Sequence, residues 1–379
     1  MKASWDIFCS VVDNFGDIGV TWRLARQLVA EHGQSVRLWV DNLQAFAHIC
    51  PGADPLASQQ HCAGVEVCAW GSPWADVAAA DVVVEAFACE LPATYRLAMR
   101  ARTQPSLWLN LEYLSAEDWV AGCHGLPSLQ PDGLRKFFYF PGFCSESGGL
   151  LRERDLLARR EAFQQDAEAL AQFRARLGIE QEEGVRCLSL FCYENAALGD
   201  WLDALAGDAV QRWLLRVPEG RVLGDVQSWA GRSEALRAGD RLQRGSLALQ
   251  VLPFVSQDDY DRLLWSCDFN LVRGEDSLLR ALWAGRPLLW DIYKQADGAH
   301  EDKLQAFAAH YLRGLSDDCA ALLEQAWWQW NRGQPLGESW RALQAHAAEL
   351  RRHARALAGK QAEQSDLAAR LVHFCADWL

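Results

Sequence analysis

Apolar residues recur along the chain in short blocks that predict alternating strands and helices. Residues 5–12 form a run rich in β-branched and aromatic side chains, which is typical of a buried strand. After a loop at residues 13–19, apolar side chains four residues apart within residues 20–32 predict one face of a helix. Residues 36–40 predict the next strand. Alternation of this kind is typical of a mostly parallel sheet covered by helices.

The alternation continues through the first half of the chain and begins again after a charged stretch. Further strands are predicted at residues 65–69, 82–86, 106–111 and 137–140, and then at 185–191, 210–217, 247–252, 269–272 and 287–290. Helices are predicted at residues 92–102, 256–266 and 276–284, and residues 297–379 are almost wholly helical. The mixed-charge helical stretch at residues 150–177 is typical of a solvated connector.

The length of the chain also favours two domains. A chain of 379 residues exceeds one ordinary hydrophobic core and suits two domains of about 150–200 residues each. We place the boundary at the end of the charged connector, so that residues 1–183 form the first domain and residues 184–360 the second. Two α/β domains in tandem predict a cleft between them.

Composition and charge exclude several classes of partner. The 37 basic and 50 acidic residues give a net charge of −13, which argues against nucleic acid and membrane surfaces because both bind basic proteins. No run of about eighteen apolar residues exists, and Asp6 and Asp13 interrupt the stretch that a secretory signal would need.

The 12 cysteines include no Cys-x-x-Cys pair, which predicts reduced thiols and a cytoplasmic protein. The 18 tryptophans are interpreted as packing residues.

The loop that follows the first strand carries two carboxylates, Asp13 and Asp17. Ligands of open α/β sheets bind beyond the carboxyl ends of the strands, which is where this loop lies. The loop lacks the Gly-x-Gly-x-x-Gly pattern, and its carboxylates would repel a pyrophosphate, so a dinucleotide site is not expected. A structural interpretation makes Asp17 a helix N-cap and Asp13 an Asx-turn residue. A functional one makes the pair a general base or a clamp for a cation, and both interpretations stay open.

A second candidate site lies at residues 273–277, between a predicted strand and a predicted helix. Backbone N–H groups at the start of that helix, with the Ser277 hydroxyl and the Arg273 guanidinium, would bind a phosphate. In the alternative interpretation Asp276 or Ser277 caps the helix and Glu275 lies in its first turn. The residue types favour neither interpretation over the other.

Aromatic residues at two further strand ends suggest a place for a nucleobase. Phe191 and Tyr193 end one strand, and Phe254 and Gln257 follow another; ordinary packing at the rim of the sheet is the alternative. The run at residues 259–261 matches the Asp-x-Asp pattern of metal-dependent sugar transferases. It lies in the helix predicted to begin at Ser256, so its carboxylates are interpreted as first-turn residues and no metal site is expected.

Two long motifs resemble those of a known family. With DNFGDIGVTWRLARQL at residues 13–28 and PFVSQDDYDRLLWSCDFNLVRGEDS at residues 253–277, the chain resembles the bacterial protein-arginine rhamnosyltransferases, which modify one arginine of translation elongation factor P with dTDP-L-rhamnose. The resemblance implies the GT-B fold, in which two Rossmann-like domains face each other across a cleft and a C-terminal helix, here about residues 361–379, crosses back to the N-terminal domain. It also implies a nucleotide sugar on the C-terminal domain and an acceptor protein on the N-terminal one.

The resemblance further implies a role for each candidate residue. Asp13 would be the principal catalytic carboxylate, with Asp17 beside it and Glu275 as a second candidate for the proton acceptor. The donor would contact residues from four parts of the second domain: Phe191, Tyr193, Phe254 and Gln257 around the thymine and deoxyribose, and Arg273, Asp276, Ser277 and Tyr293 around the diphosphate and sugar.

The expected reaction is a transfer with inversion that needs no metal or other cofactor. Two alternative functions are a transferase for a small-molecule or lipid acceptor and a non-catalytic nucleotide-sugar-binding protein. The acidic loop with Asp13 and Asp17 argues against the first of these, because a lipid acceptor would favour an apolar surface.

Overall fold

The computed structural model describes residues 3–12, 15–71, 74, 77–179, 183–295 and 298–378 of the chain. The described residues form two compact α/β units. Unit 1 combines Met1–Arg154 with Ala362–Leu379, and unit 2 comprises Asp155–Gln361. Each unit is built on its own sheet, as the prediction of two α/β domains requires.

Within the described residues, unit 1 contains eight strands and, before the C-terminal segment, four helices. In chain order they are β1 (Ser4–Cys9), α1 (Gly16–His32), β2 (Ser35–Val40), α2 (Leu43–Ile49), β3 (Gln59–Cys62), β4 (Val65–Ala69), β5 (Val82–Ala86), α3 (Ala93–Ala101), β6 (Leu107–Leu111), α4 (Val120–Cys123), β7 (Pro127–Leu129) and β8 (Arg135–Tyr139). The sheet order is β3-β4-β2-β1-β5-β6-β8-β7. All neighbours pair in parallel except β3 with β4 and β7 with β8.

The central strands of unit 1 are apolar because helices cover both faces of a parallel sheet. Every residue of β5 and β6 is buried. One side of the sheet packs an aromatic cluster in which the Phe8 ring centroid lies 5.8 Å from that of Trp39 and 4.8 Å from that of Tyr95. Helix α1 ends at His32 and is followed by Gly33, whose φ of 63° is a left-handed conformation that glycine adopts without strain.

The described part of unit 2 contains six strands and ten helices. In chain order they are α5 (Leu156–Gln165), α6 (Ala167–Arg176), β9 (Val185–Phe191), α7 (Leu198–Ala206), β10 (Arg212–Pro218), α8 (Leu223–Ala230), β11 (Arg241–Arg244), β12 (Leu247–Leu252), α9 (Gln257–Trp265), β13 (Phe269–Arg273), α10 (Gly274–Trp283), β14 (Leu288–Asp291), α11 (Ala299–Tyr311), α12 (Asp317–Asn331), α13 (Gly337–Gln344) and α14 (Ala347–Ala362). The sheet order is β11-β12-β10-β9-β13-β14, and β11 is its antiparallel edge strand.

The last helix, α15 (Leu367–Ala376), belongs to unit 1. The backbone N–H of Leu367 donates to the carbonyl of Leu150 at 2.9 Å. Further along the helix, the Phe374 ring centroid lies 5.6 Å from that of Phe137 and 5.7 Å from that of Tyr139. The predicted return of the C-terminal helix to the N-terminal α/β unit is therefore confirmed.

The division between the units differs from the boundary predicted after residue 183. The chain divides after Arg154, because the charged helices α5 and α6 pack onto unit 2. The Arg160 guanidinium is buried and donates to the Trp283 carbonyl at 2.9 Å, and Gln164 donates to the Trp265 carbonyl at 3.0 Å. Long charged side chains cover apolar surface with their stems, so mixed charge alone does not make a helix a solvated connector.

The cysteines are reduced, as predicted. All twelve are free thiols, and eight of them are buried. Trp327 and Trp330 are fully buried on α12, as the packing interpretation predicted. In the described ranges, none of the helices combines the length and the apolar character that crossing a lipid bilayer requires.

Candidate active site

Three parallel strands of unit 2 bring four of the predicted donor residues to one edge of the sheet. Strand β13 pairs with β9 on one side and with β14 on the other, so the carboxyl ends of all three strands lie together. These ends are Phe191, Arg273 and Asp291, and Tyr193 and Tyr293 follow two residues after the first and the last. The centroids of the Tyr193 and Tyr293 rings are 5.8 Å apart in an edge-to-face arrangement.

The Arg273 guanidinium lies against two of these aromatic rings. Its Cζ atom is 4.8 Å from the centroid of Phe191 and 4.7 Å from that of Tyr193, and the side chain is only 6% exposed. A cation held over aromatic faces away from water gains about 2 kcal/mol from each favourable contact. The rings therefore hold a fixed positive charge at the edge where a parallel sheet binds its ligands.

Helix α10 begins directly after Arg273. Gly274 has a φ of 63°, which turns the chain from strand to helix within one residue. Arg273 is the N-cap residue, so Asp276 and Ser277 lie inside the first turn, and the alternative interpretation in which one of them caps the helix is wrong. Glu275 lies in the first turn as predicted, and its carboxylate forms an ion pair with Lys303 of α11. The start of α10 thus presents helix N–H groups beside the Arg273 charge.

Phe254 and Gln257 occupy the same edge of the sheet but follow a different strand. They come after β12, which is separated from β9 by β10 in the sheet order. Gln257 is buried as the first residue of α9, and Ser256 caps this helix by accepting the N–H of Asp259 at 3.3 Å. Strands β12, β10 and β9 run parallel, so their ends point the same way. Phe254 and Gln257 therefore lie at the same edge of the sheet as Phe191, Tyr193 and Arg273.

Asp291 also lies at this edge and was not predicted from the sequence. Its Oδ2 accepts the backbone N–H of Tyr193 at 2.8 Å, and the side chain is 1% exposed. Burial raises the pKa of the Asp291 carboxyl to about 7, although the Tyr193 N–H and the charges of Lys294 and Arg273 act in the opposite direction. The available signal was an acidic residue directly after the predicted strand at residues 287–290.

Both carboxylates of the Asp-x-Asp run of α9 form ion pairs with arginines. Asp259 lies in the first turn, as predicted, and forms ion pairs with Arg176 at 2.5 Å and Arg262 at 2.9 Å. Asp261 lies beyond the first turn, and its Oδ1 accepts from the Nε of the buried Arg280 at 2.8 Å. The prediction of first-turn carboxylates is therefore confirmed for Asp259 and wrong for Asp261.

Within the described residues, one group of side chains has metal-ligand spacing. The donor atoms of Cys319, His346 and Glu349 lie within 4.8 Å of one another. Glu349 already accepts the backbone N–H of Ser316 at 2.7 Å and its hydroxyl at 3.0 Å, so it secures the start of α12. Burial raises the pKa of the Cys319 thiol to about 11. Cys319 lies on α12, Glu349 lies on α14 and His346 lies between α13 and α14, so the group is not part of the strand ends that carry the candidate donor residues.

In unit 1 the corresponding edge contains Asp17. Helix α1 begins at Gly16, so Asp17 lies in its first turn, and the structural interpretation that made it the N-cap residue is wrong. The Asp17 side chain is buried; its Oδ2 accepts the backbone N–H of Val12 at 2.9 Å, and its Oδ1 accepts the Tyr113 hydroxyl at 3.3 Å. Asp13, the other predicted carboxylate, lies outside the described residues.

The sequence did not predict that Tyr113 donates to Asp17, nor the arrangement of the residues that follow β5 and β6. Tyr113, just beyond β6, stacks on Phe87 with ring centroids 4.5 Å apart. Phe87 and Ala88 follow β5 with φ of 57° and 55°, a conformation that costs a non-glycine residue about 1–3 kcal/mol. The N–H of Ala88 donates to the Asn110 side chain at 3.1 Å. Their position after two predicted strands was the available signal, but positive φ cannot be read from residue type.

Comparison with known protein families gives one consistent result. The profile of the family described as Elongation-Factor P (EF-P) rhamnosyltransferase EarP matches residues 5–376. A protein-arginine rhamnosyltransferase of Pseudomonas putida is 62% identical over 99% of both chains. One of Pseudomonas aeruginosa is 61% identical over 100% of both chains.

Solved structures agree with the family match and with the fold. A structure described as the basis for EarP-mediated arginine glycosylation of translation elongation factor EF-P covers 100% of both chains, with 45% identity and a TM-score of 0.73. An α-glucosyltransferase in complex with UDP and DNA covers 100% of this chain and 99% of its own, with 8% identity and a TM-score of 0.54. The second likeness concerns the fold alone. The predicted GT-B fold is confirmed.

Proposed function

The chain belongs to the family of elongation factor P rhamnosyltransferases, EarP, and from that premise we propose that it transfers L-rhamnose from dTDP-β-L-rhamnose to an arginine of elongation factor P. The curated relatives are protein-arginine rhamnosyltransferases of nearly the same length. Translation takes place in the cytoplasm, so the proposed acceptor also implies a cytoplasmic enzyme. The proposal names three features that the family name leaves open: the donor nucleotide, the stereochemistry and the residues.

The donor is assigned to the carboxyl edge of the unit 2 sheet. The observation that carries this assignment is the Arg273 guanidinium, held against Phe191 and Tyr193 at the start of α10. Aromatic faces accept a thymine, while a guanidinium and a helix N-terminus bind the diphosphate. In this proposal Phe254 and Gln257 complete the nucleoside site, and Asp276, Ser277 and Tyr293 contact the diphosphate and sugar.

The acceptor poses a chemical problem that a carboxylate pair solves. An arginine side chain stays protonated at any cellular pH because its pKa exceeds about 12, and its delocalised lone pairs make it a poor nucleophile. We assign Asp13 and Asp17 to hold the guanidinium, with Asp13 as the principal proton acceptor. Asp17 is suited to a fixed role, because Val12 and Tyr113 donate to its two oxygens.

The reaction is written as one in-line displacement at the anomeric carbon. The bond from a guanidinium nitrogen to C1 of rhamnose forms while the bond from C1 to the diphosphate oxygen breaks, and the proton passes from the nitrogen to the carboxylate. One displacement inverts the anomeric centre. The leaving dTDP gains its stabilisation from Arg273, Ser277 and the α10 N-terminus, so the proposal includes no metal or other cofactor.

The test measures transfer directly. The purified protein is incubated with dTDP-β-L-rhamnose and elongation factor P, and intact mass spectrometry is expected to show one added deoxyhexose on the acceptor. Asp13→Asn and Asp17→Asn should each reduce transfer at least a hundredfold, since general base catalysis contributes about 10²–10⁴-fold. Asp41→Asn is the matched control, because Asp41 accepts from Ser10 and Val11 at the same edge and has no assigned role.

Three results would redirect or contradict the assignment. Unmodified elongation factor P, with transfer to a small molecule or lipid instead, would support a different acceptor. Binding of dTDP that is lost in Tyr193→Ala, together with background turnover for every acceptor, would indicate a nucleotide-sugar-binding protein without catalysis. Full activity of Asp13→Asn and Asp17→Asn would contradict the catalytic assignment while leaving the family activity intact.

A further inference from the structure

Asp291 connects the two strands that flank Arg273. It ends β14, where it is paired in register with Arg273 of β13. Its Oδ2 accepts the N–H of Tyr193, which lies two residues beyond the end of β9. The hydrogen bond is buried and joins residues 98 positions apart in the sequence. It therefore crosses over the end of the strand that carries the guanidinium.

The Tyr193 backbone needs this acceptor because the sheet no longer supplies one. The register of β9 with β13 ends at the pair Phe191 and Val272, so the N–H of Tyr193 lies beyond the ladder. A buried N–H without an acceptor costs about 1–3 kcal/mol, which makes other backbone conformations competitive. Accepting this N–H keeps the Tyr193 ring against Arg273 and edge-to-face with Tyr293.

We propose that Asp291 is a positioning residue for the nucleotide-sugar donor. By holding the backbone of Tyr193, it sets the arrangement of Tyr193 and Arg273 before the donor binds, and so it determines donor affinity. This inference rests on the proposed function, because it takes the edge formed by these residues as the donor site. Asp291 itself is 1% exposed, so it acts through Tyr193 rather than by touching the substrate.

A purely structural role is the competing explanation, and the chain offers a matched control for it. Asp268 makes the same kind of bond to the same strand at its opposite end: its Oδ2 accepts the backbone N–H of Cys187 at 2.9 Å. Both carboxylates therefore tie β9 to the neighbouring part of the sheet. Only Asp291 does so at the edge that carries Arg273 and Tyr193.

The experiment compares nucleotide binding in the full-length protein and its variants. Titration calorimetry with dTDP should show a dissociation constant about tenfold higher for Asp291→Ala, the equivalent of one lost buried hydrogen bond. Asp291→Leu fills the same space without an acceptor and should show the same increase. Asp291→Asn keeps an acceptor oxygen and should lose no more than about threefold. Asp268→Ala should bind dTDP like the wild type, even if its unfolding temperature is lower.

Transfer kinetics provide a second measurement that a structural role would not change. The KM for dTDP-β-L-rhamnose should rise in Asp291→Ala and Asp291→Leu, while the KM for elongation factor P and kcat at saturating donor change little. Wild-type affinity in both variants, or an equal loss in Asp268→Ala, would overturn the role of Asp291. Failure of the wild type to bind dTDP would instead contradict the proposed function.

Discussion

The guanidinium of Arg273 lies over the ring of Phe191, with Cζ 4.8 Å from the ring centroid. The two residues are at the carboxyl ends of adjacent parallel strands, β13 and β9. A planar, delocalised cation can stack on an aromatic ring and still point its N–H groups at an anion, which a point charge on a flexible stem cannot do. The site therefore depends on the shape of this side chain as well as on its charge.

The first prediction concerns that shape. Arg273→Lys keeps the charge but loses the planar stack, so the KM for dTDP-β-L-rhamnose should rise at least about tenfold, with a smaller effect on kcat. Arg221→Lys is the matched control, because the Arg221 guanidinium also lies near the Tyr193 ring, at 5.5 Å, but its side chain is 45% exposed and paired with Glu194. Equal effects of the two substitutions would show that stacking on Phe191 contributes nothing.

The second prediction concerns the hydroxyl that donates to Asp17. Tyr113→Phe keeps the ring stacked on Phe87 but removes the donor to the Asp17 carboxylate. A hydrogen bond to a charged group is worth about 1.5–3 kcal/mol, so kcat should fall roughly tenfold or more while the donor KM stays constant. Steady-state kinetics at saturating elongation factor P will measure both constants. An unchanged kcat would mean that Asp17 is positioned without Tyr113.

The third prediction separates the two carboxylates of the Asp-x-Asp run. Asp261→Ala leaves the buried Arg280 without its carboxylate and should lower the free energy of unfolding by about 3–5 kcal/mol. Asp259→Ala removes ion pairs with the more exposed Arg176 and Arg262 and should cost less than about 1 kcal/mol. Urea unfolding monitored by tryptophan fluorescence will compare the two, and similar losses would contradict the difference in burial.

The fourth prediction follows from the same ion pairs. Because arginines already neutralise Asp259 and Asp261, we expect that these carboxylates bind no divalent cation during transfer. Treatment with EDTA, followed by assay in metal-free buffer, should leave the rate of rhamnose transfer unchanged. Restoration of a lost activity by magnesium or manganese would show that the leaving diphosphate depends on a metal ion.

The fifth prediction uses the pKa of Asp291. Burial raises this pKa from 3.8 to about 7, so between these values the folded protein binds a proton that the unfolded chain has released. The contribution of Asp291 to stability is therefore complete below about pH 4 and is lost as the pH rises through about 7. Asp291→Asn does not titrate, so its stability relative to wild type should increase by on the order of 3 kcal/mol between pH 4 and pH 8.

Chemical denaturation of both proteins across this pH range measures the effect. The charged and titratable neighbours that must be considered are Arg273 on β13, Lys294 beyond β14 and the Cys192 thiol beyond β9. Arg273 and Lys294 favour the ionised carboxylate, so they reduce the change in relative stability between pH 4 and pH 8. A difference between variant and wild type that is independent of pH would show that Asp291 does not titrate in this range.

The sequence predicted the apolar strands well and the short polar strands at the sheet edges poorly. The strands at residues 65–69, 82–86 and 185–191 have the predicted bounds, because buried parallel strands are short runs of β-branched and other apolar residues. The edge strands β3, β7 and β11 are short and polar, so no pattern marks them. Pairing with a neighbouring strand, which is a tertiary interaction, creates them.

Within the candidate site, the sequence indicated which side chains take part but not which residues they form hydrogen bonds with. Strand ends and helix starts marked Asp17, Phe191 and Arg273, because the chain itself determines where an apolar run stops. It could not show that Asp17 accepts from Tyr113, since Asp17 lies in the first turn of α1 and Tyr113 follows β6, 96 positions further along the chain. It also assigned Asp17 and Asp276 as possible caps, although helices α1 and α10 begin earlier than the apolar periodicity indicates.

The amino-acid sequence by itself determined the two α/β units, the family resemblance and the loops that hold the candidate residues. These features depend on local periodicity and on contiguous motifs, which are read along one stretch of chain. The tertiary structure decided where α5 and α6 belong, which carboxylates are paired with arginines, and that Asp291 secures Tyr193. Those relationships arise because crossover connections place distant segments side by side. Burial then shifts the pKa of a charged group and makes a hydrogen-bond or ion-pair partner necessary.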